Sequence, residues 1–375
     1  MFPLTYEQQA FVEAMRDFSA RECGTHEQRE ALTEGHDRSI YRRIAELGWV
    51  GVSIPEEYGG GGGTVVDLCL LLEETTRGLL PVGAMAVSLI VAGAVERFGS
   101  EEQKHEILGR IAAGEPHSIA MSEPEAGSDV GALQCRAERR NGSYVINGQK
   151  TWITGAHVAS HILLVCRTER GERKHEGISM LMVPADAEGV EIRAIETMGG
   201  KEVNDVFFTD CVVGTDALLG EEGDGWTQLM SGLNVERLII AANMLGLAQR
   251  AFDDVVAYVK ERKQFGKSIG SFQTIRHRIA DLATELEVCR LLTYDVAARV
   301  DADPARMFAR EASMAKLKVT EVVKQITLEG MQMMGGYGYA SEYDMEGFVR
   351  TALVSSIYGG TNEIQRDIIA KTYGL

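Results

Sequence analysis

The chain has 375 residues, a net charge of −17, 45% apolar residues and 25% charged residues, with a sequence pI near 5.0. That is the composition of a globular protein long enough for two or three domains or one large core. So acidic a chain gains little from counterion release, which sets nucleic acid aside as a partner, whereas a phosphate-bearing small ligand needs only one basic patch.

Cysteines stand at Cys23, Cys69, Cys135, Cys166, Cys211 and Cys289, with no C-x-x-C pair and no paired-histidine spacing. This argues against a zinc centre or a disulfide framework and for free thiols in a reducing compartment. The start, MFPLTYEQQAF, lacks the basic and apolar regions of a signal peptide, and the longest apolar stretches, such as PVGAMAVSLIVAGAV, are too short to span a bilayer. The expectation is a cytoplasmic protein without a membrane span.

Thr5-Tyr6-Glu7-Gln8 reads as a capping box, and Phe11, Val12, Met15 and Phe18 follow at helical spacing. Ser100 and Gln103 repeat the box before HEILGRIAAG, where Gly114 offers a stop. AELGWVGVSIP and LCLLLEETTRGLL, between them, read as helical or buried. Residues 1–117 are therefore expected to form an N-terminal α-helical domain. From residue 118 the texture changes. SYVINGQKTWITGA holds Asn147-Gly148 between two strand-like runs, a hairpin signal. HILLVCRTE, GISMLMVPA, VEIRAIE and VNDVFFTDCVV follow, rich in β-branched and aromatic residues. Residues 118–222 read as an all-β insert, too irregular for a parallel sheet with crossover helices. From 223 to 375 helical periodicity returns: Leu238, Ala242, Leu245, Ala248 and Phe252 make one stripe, and Leu282, Leu286, Cys289 and Leu292 another. EASMAKLKVTEVVKQITLEGMQMM is a third long helix, and three such helices with short connections predict an antiparallel bundle.

Few motifs stand out singly. The run Gly59–Gly63 lacks the Gly-Lys-Ser/Thr ending of a P-loop and reads as a loop; no G-x-G-x-x-G joins a strand to a helix, and no G-x-S-x-G is present. The eight histidines show no ligand spacing, and His277 reads as a surface residue. MSEPEAGSDVGAL, residues 121–133, is a tight turn with Asp129 placed as an N-cap, at the α-to-β transition. In TWITGA, Trp152 is either a core residue or the backing of a planar ring. ERKQFGKSIGSFQ, residues 261–273, is either a solvated charged loop or a pyrophosphate clamp built around Arg262.

Taken in order, MSEPEAGSDV, TWITGA, ERKQFGKSIGSFQ and QMMGGYGYASEY followed by IYGGTNEIQRD resemble the acyl-CoA dehydrogenase family over essentially the whole chain. The resemblance implies an α+β protein: an N-terminal helical domain, a middle β-barrel or sandwich domain and a C-terminal four-helix bundle. It implies FAD as cofactor. Met121, Ser122, Gly127 and Ser128 would line the flavin or the pantetheine arm, and Trp152, Ile153 and Thr154 would lie against the isoalloxazine. Arg262, Phe265, Phe272 and Gln273 would reach the FAD of a neighbouring subunit, with Gln332, Gly335, Gly336, Thr361 and Glu363 completing that site. Shared FAD implies an oligomer, as a homotetramer, a dimer or an α2β2 hetero-tetramer.

The implied reaction is α,β-dehydrogenation of an acyl-CoA thioester, with electrons passed on to an electron-transfer flavoprotein and a place in fatty-acid β-oxidation. A base takes the α-proton, a hydride leaves Cβ for flavin N5, and donors hold the thioester carbonyl. One such donor is the backbone N–H at Gly359, where many relatives carry the base as a glutamate. Gly359 keeps the N–H and lacks the carboxylate. SGLNVERLIIAANMLG supplies Glu236 instead, as in the isovaleryl- and long-chain-like branch, which carries the base on this helix. Burial against flavin and acyl chain would raise the pKa of Glu236 toward that of a useful base. Asn234, Arg237, Gly360 and Ser128 complete the expected substrate contacts. The chain departs from the family pattern at Glu125, usually glycine, and at Asn234, where an aspartate commonly meets the pantetheine. It also departs at FVRTALVSSIY and ETMGGKEVNDVFF, which lack usual charged residues. Two further readings stand beside the first: a dehydrogenase of an acyl or aminoacyl group on a carrier protein, and one subunit of a mixed tetramer.

Overall fold

The computed structural model describes residues 2–33 and 39–375; the side chains of Glu30, Thr33, Leu233 and Asn234 lie outside the description. Its helices in chain order are α1 (Tyr6–Cys23), α2 (His26–Thr33), α3 (Ser39–Glu46), α4 (Val65–Arg77), α5 (Gly83–Phe98), α6 (Glu101–Gln103), α7 (Gly109–Ala112), α8 (Gly225–Glu261), α9 (Gln273–Ala302), α10 (Ala309–Met334), α11 (Met345–Ser355) and α12 (Asn362–Lys371). The strands are β1 (His117–Ala120), β2 (Arg136–Arg140), β3 (Ser143–Thr154), β4 (His161–Arg167), β5 (Ile178–Pro184), β6 (Val190–Thr197), β7 (Gly200–Gly214), β8 (Leu218–Leu219), β9 (Lys263–Gln264) and β10 (Lys267–Ser268). Backbone contacts divide the chain into two compact units, residues 1–40, 64–81 and 234–375 in one and 41–63 and 82–233 in the other. No helix among the described residues is long and apolar enough to cross a membrane.

In the first unit α1 starts on the expected capping box, Thr5 and Gln8 each satisfying the other's backbone N–H. α4 packs on α1 and α9, and α10 packs on α9, α11 and α12. The expected stripe on α8 is inward, with Leu238, Ala242, Leu245 and Ala248 buried. Several charges inside this unit are paired. Glu73 meets Arg290 and accepts from the Tyr294 hydroxyl at 2.6 Å, and Glu74 binds the Arg16 guanidinium through two bonds of 2.8 and 2.6 Å. The Asp301 carboxylate accepts from the N–H groups of Val65 and Val66, at 2.7 and 3.1 Å, and so caps α4 from α9. At Gly246 α8 comes so close to α4 that a Cβ would lie 2.1 Å from the Glu73 carbonyl oxygen. This crossing fixes α8, the helix that carries Glu236.

The second unit holds α5, whose buried face runs through Met85, Leu89, Ala92 and Val95, and the Ser100–Gln103 capping box at α6. A π turn over Lys104–Leu108 joins α6 to α7. All eight strands β1–β8 form one mixed sheet in the order β6-β7-β3-β2-β4-β5-β8, with β1 parallel to β4. Its inner face packs Tyr144, Ile146, Ile153, Ile162, Leu164, Leu181, Val206 and Phe208.

Two local expectations are corrected. Asn147-Gly148 makes no hairpin. It lies inside β3, at a register shift against β7 between Ile146 and Gly148. The Asn147 side chain there donates to the Asp210 carboxylate and accepts from the Asp210 N–H, both at 3.0 Å. The hairpin between β2 and β3 turns instead at Asn141-Gly142, both left-handed at φ 50° and 81°, the pair a tight two-residue turn requires. Asp129 is no side-chain cap; its carboxylate binds Lys174 at 2.7 Å. All six cysteines are free and buried, as expected of reduced thiols. His117 is buried in β1 and stacked on His161 at 5.6 Å.

Candidate active site

In the first unit Glu236 and Gly359 come together. Gly359 and Gly360 are both left-handed, at φ 60° and 76°, a conformation that costs a side-chain-bearing residue about 1–2 kcal/mol. A Cβ on Gly359 would lie 2.0 Å from Ile240 Cδ1 and 3.7 Å from Glu236 Oε1. Ile240 therefore occupies the space a side chain at 359 would need, and the Glu236 carboxylate stands beside that space. Burial pushes the Glu236 carboxyl up, while the positive charges of Arg237 and Lys316 pull it down; the net shift is upward. Arg237 is 6% exposed and its Nε has no partner among the described residues. Burial lowers its pKa, and the Glu236 charge partly restores it.

The loop after Gly359 is held from below. Gln365 Nε2 donates to the carbonyls of Gly359 and Gly360, at 3.1 and 2.9 Å. Lys316 Nζ donates to the Gly360 carbonyl at 2.9 Å and to Asn362 Oδ1 at 3.1 Å. Thr361 serves as the N-cap of α12, accepting from the Ile364 N–H at 3.3 Å. Glu363 sits exposed in the first turn, its carboxyl lowered by its own backbone N–H and by Thr361.

A second site of the same unit is a cavity of about 730 Å³ lined by Tyr258, Arg262, Gln264, Met333, Gly335 and Gly336, among others. The Arg262 guanidinium lies 5.2 Å above the Tyr337 ring and forms no ion pair among the described residues. Phe265, left-handed and 92% exposed, meets Phe272 edge-on at 6.2 Å, and Lys267 covers the Phe272 ring at 4.3 Å. Gln273 opens α9 and contacts His277, which is exposed. Gln332 is exposed on α10, and neither Gln273 nor Gln332 lines the cavity. Open glycine backbone beside a guanidinium that forms no ion pair among the described residues, together with aromatic rings, fits a nucleotide diphosphate.

In the second unit Met121 and Ser122 are tied to β3: the Thr151 N–H donates to the Ser122 carbonyl at 2.9 Å, and Lys150 Nζ to the Met121 carbonyl at 2.9 Å. Lys150 is fully buried and also binds Glu123 Oε1 at 2.7 Å. The Glu123 carboxylate accepts the N–H groups of Gln134 and Cys135 as well, at 2.6 and 2.9 Å. Gly127 and Ser128 lie exposed on the turn beyond, past the Glu123–Ala126 bridge. Trp152 is not core. It is 59% exposed and left-handed at φ 62°, a strained conformation for a bulky residue, at a register shift of β3 between Lys150 and Ile153. Ile153 is buried, and its carbonyl accepts from Asn204 Nδ2 at 3.0 Å. The Thr154 carbonyl accepts from Ser118 at 2.7 Å. A strained Trp that presents its indole outward fits a planar ring system. The expected contact at Asn234 concerns a side chain outside the described residues.

Sequence reasoning missed Lys316, Gln365, Ile240, Glu123 and Lys150. The available signal was a charged residue on an apolar helix face: Lys316 lies among Ala312, Ala315, Val319 and Thr320, all buried.

The chain thus combines an α/β/α order of elements with a carboxylate beside a glycine loop, and its sequence has no Rossmann G-x-G-x-x-G unit. Residues 5–115, 118–211 and 223–374 match the descriptions acyl-CoA dehydrogenase N-terminal, middle and C-terminal domain. Similar proteins include the probable acyl-CoA dehydrogenase YngJ of Bacillus subtilis (strain 168), 36% identical and covering 99% of this chain and 98% of its own. The caffeyl-CoA reductase–Etf complex subunit CarC of Acetobacterium woodii is 35% identical, covering 95% of each. The crystal structure of an acyl-CoA dehydrogenase from Geobacillus kaustophilus superposes with a TM-score of 0.93 at 35% identity over 99% of each chain. The chain belongs to the acyl-CoA dehydrogenase family, and is an FAD-dependent oxidoreductase acting on acyl-CoA.

Proposed function

We propose that the chain oxidises an acyl-CoA thioester to the trans-2-enoyl thioester, with Glu236 as the base that takes the α-proton. The carrying observation is the carboxylate 3.7 Å from the place of the absent side chain at Gly359. An α-proton beside a thioester is weakly acidic, so the site must both accept it and stabilise the enolate charge. Burial raises the Glu236 carboxyl and makes it the stronger acceptor. The Gly359 N–H holds the thioester carbonyl, with Gly360, Arg237, Asn234 and Ser128 around the substrate. Bound FAD supplies the acceptor for the β-hydride. Met121, Ser122, Gly127, Ser128, Trp152, Ile153 and Thr154 hold its ring portion. Arg262, Phe265, Phe272, Gln273, Gln332, Gly335, Gly336, Thr361 and Glu363 hold its diphosphate and adenosine portion in an oligomer.

Labour divides over residues 1–117, 118–222 and 223–375, in a cytoplasmic homotetramer serving fatty-acid oxidation. Electrons pass to an electron-transfer flavoprotein, which the naming of the CarC relative as part of an Etf complex supports. The test is anaerobic bleaching of the flavin by a panel of acyl-CoAs, run beside the same acyl groups on a carrier-protein pantetheine. Bleaching by free CoA thioesters is expected. Bleaching by the carrier-bound acyl groups alone transfers the reading to a carrier-protein dehydrogenase. A flavin-loaded protein that no thioester bleaches contradicts both.

A further inference from the structure

Lys316 is fully buried in α10, where an ammonium is costly unless its protons find acceptors. Its partners are the Gly360 carbonyl and Asn362 Oδ1, and Thr320 Oγ1 donates to the same Asn362 oxygen at 3.0 Å. Gln365 takes the carbonyls of Gly359 and Gly360. Both carbonyls of the pair are thus committed to one side. In a trans peptide the N–H points opposite to the C=O, so the N–H groups of Gly360 and Thr361 turn away from Lys316 and Gln365. Among the described residues none of the Gly359, Gly360 and Thr361 N–H groups donates to a backbone carbonyl. The Gly360 and Thr361 donors, whose direction the held carbonyls set, therefore lie next to the Gly359 N–H in a left-handed turn beside the Glu236 carboxylate.

We propose that Lys316 is a positioning residue: with Gln365 it fixes the Gly359–Gly360 turn so that its N–H groups meet the thioester carbonyl, and it brings a positive charge beneath the enolate. This rests on the reading of Glu236 and Gly359 given above. The charged groups facing the Lys316 ammonium are Lys324 on α10, Glu363 on α12, and Arg237 and Glu236 on α8. Burial is the largest influence and brings the ammonium down to about 8. Raising the pH through that value removes the positive charge while the loop's carbonyls keep Gln365. The rate of flavin reduction should therefore rise as Glu236 loses its proton and fall again above about 8.

The experiment compares flavin-loaded wild type with Lys316→Met and Lys316→Arg, using whichever acyl-CoA reduces the wild type fastest. Lys316→Met is expected to slow reduction by about 10- to 100-fold, since a misaimed donor keeps part of the effect of a lost one, with KM changed far less than kcat. The carbonyl stretch of the bound, carbonyl-labelled enoyl-CoA product should move back toward its value in water. Lys316→Arg should recover part of the rate and carry the falling limb to higher pH. The proposal is overturned if Lys316→Met, folded and flavin-loaded, keeps the wild-type rate, carbonyl stretch and pH limb. If Lys316→Met does not fold, a Lys316→Arg profile identical to wild type overturns it as firmly. Failure of the underlying function would show earlier and differently, as a wild-type flavin that no acyl thioester reduces.

Discussion

The contact between Gly359 and Ile240 yields a prediction that separates backbone strain from steric conflict. Gly359→Ala places a Cβ at φ 60°, costing about 1–2 kcal/mol. It also drives that Cβ to 2.0 Å from Ile240 Cδ1, and the buried isoleucine must leave its rotamer at about 0.5–1.5 kcal/mol. The expected total is ~2–3 kcal/mol. Ile240→Val removes Cδ1 and alone costs about 1 kcal/mol. In the Gly359→Ala background it also removes the clash, because the next Ile240 atom, Cγ1, lies at 3.5 Å. At about 2.1 cal/mol/K per residue over 375 residues, 1 kcal/mol moves the unfolding midpoint by roughly 1–1.5 °C. Scanning calorimetry at one protein concentration and saturating FAD should show Gly359→Ala lowering the midpoint by about 3 °C. Ile240→Val should cost about 1 °C in wild type and close to nothing on top of Gly359→Ala. Equal losses in both backgrounds would refute the contact.

Two further predictions concern the second unit. Lys150→Met leaves Glu123 buried without its cation and should cost about 3–5 kcal/mol, read as a lowered unfolding midpoint and weaker FAD retention. Lys150→Met combined with Glu123→Leu should recover much of the stability, and failure to do so would place the cost elsewhere. His117 is buried and neutral, its pKa lowered by burial from 6.5 to about 4. The unfolded chain binds the proton first, so this contribution is complete above 6.5 and is lost as pH falls toward 4, on the order of 3 kcal/mol in all. His117→Gln should flatten that part of the stability profile; an unchanged acid limb would assign it to other groups.

The order helix, sheet, helix was legible because it rests on local periodicity and caps: Thr5–Gln8 and Ser100–Gln103 close their boxes as read. The Asn-Gly pairs show where local reading stops. Both Asn141-Gly142 and Asn147-Gly148 carry the same turn chemistry, and pairing of β3 with β7 decides that the second is a bulge. The site was half legible. Glu236 and Gly359 could be named as a pair only through the resemblance to a family branch with the base on this helix, and the structure brings the two together. Ile240, which fills the gap, and Gln365, which holds the loop, act across the fold and leave no local pattern, whereas Lys316 shows only as a charge on a buried helix face. Thr361 and Glu363 take part in the start of α12, a structural use that a motif match does not disclose.

The central claim is that Glu236 is the base. It is tested by the anaerobic rate at which the best acyl-CoA reduces the flavin of Glu236→Gln beside wild type, both loaded with FAD. The amide keeps the shape and loses the proton acceptor, so the rate should fall roughly a thousandfold with substrate binding retained. Reduction of both proteins at the same rate would contradict the account and place the base elsewhere.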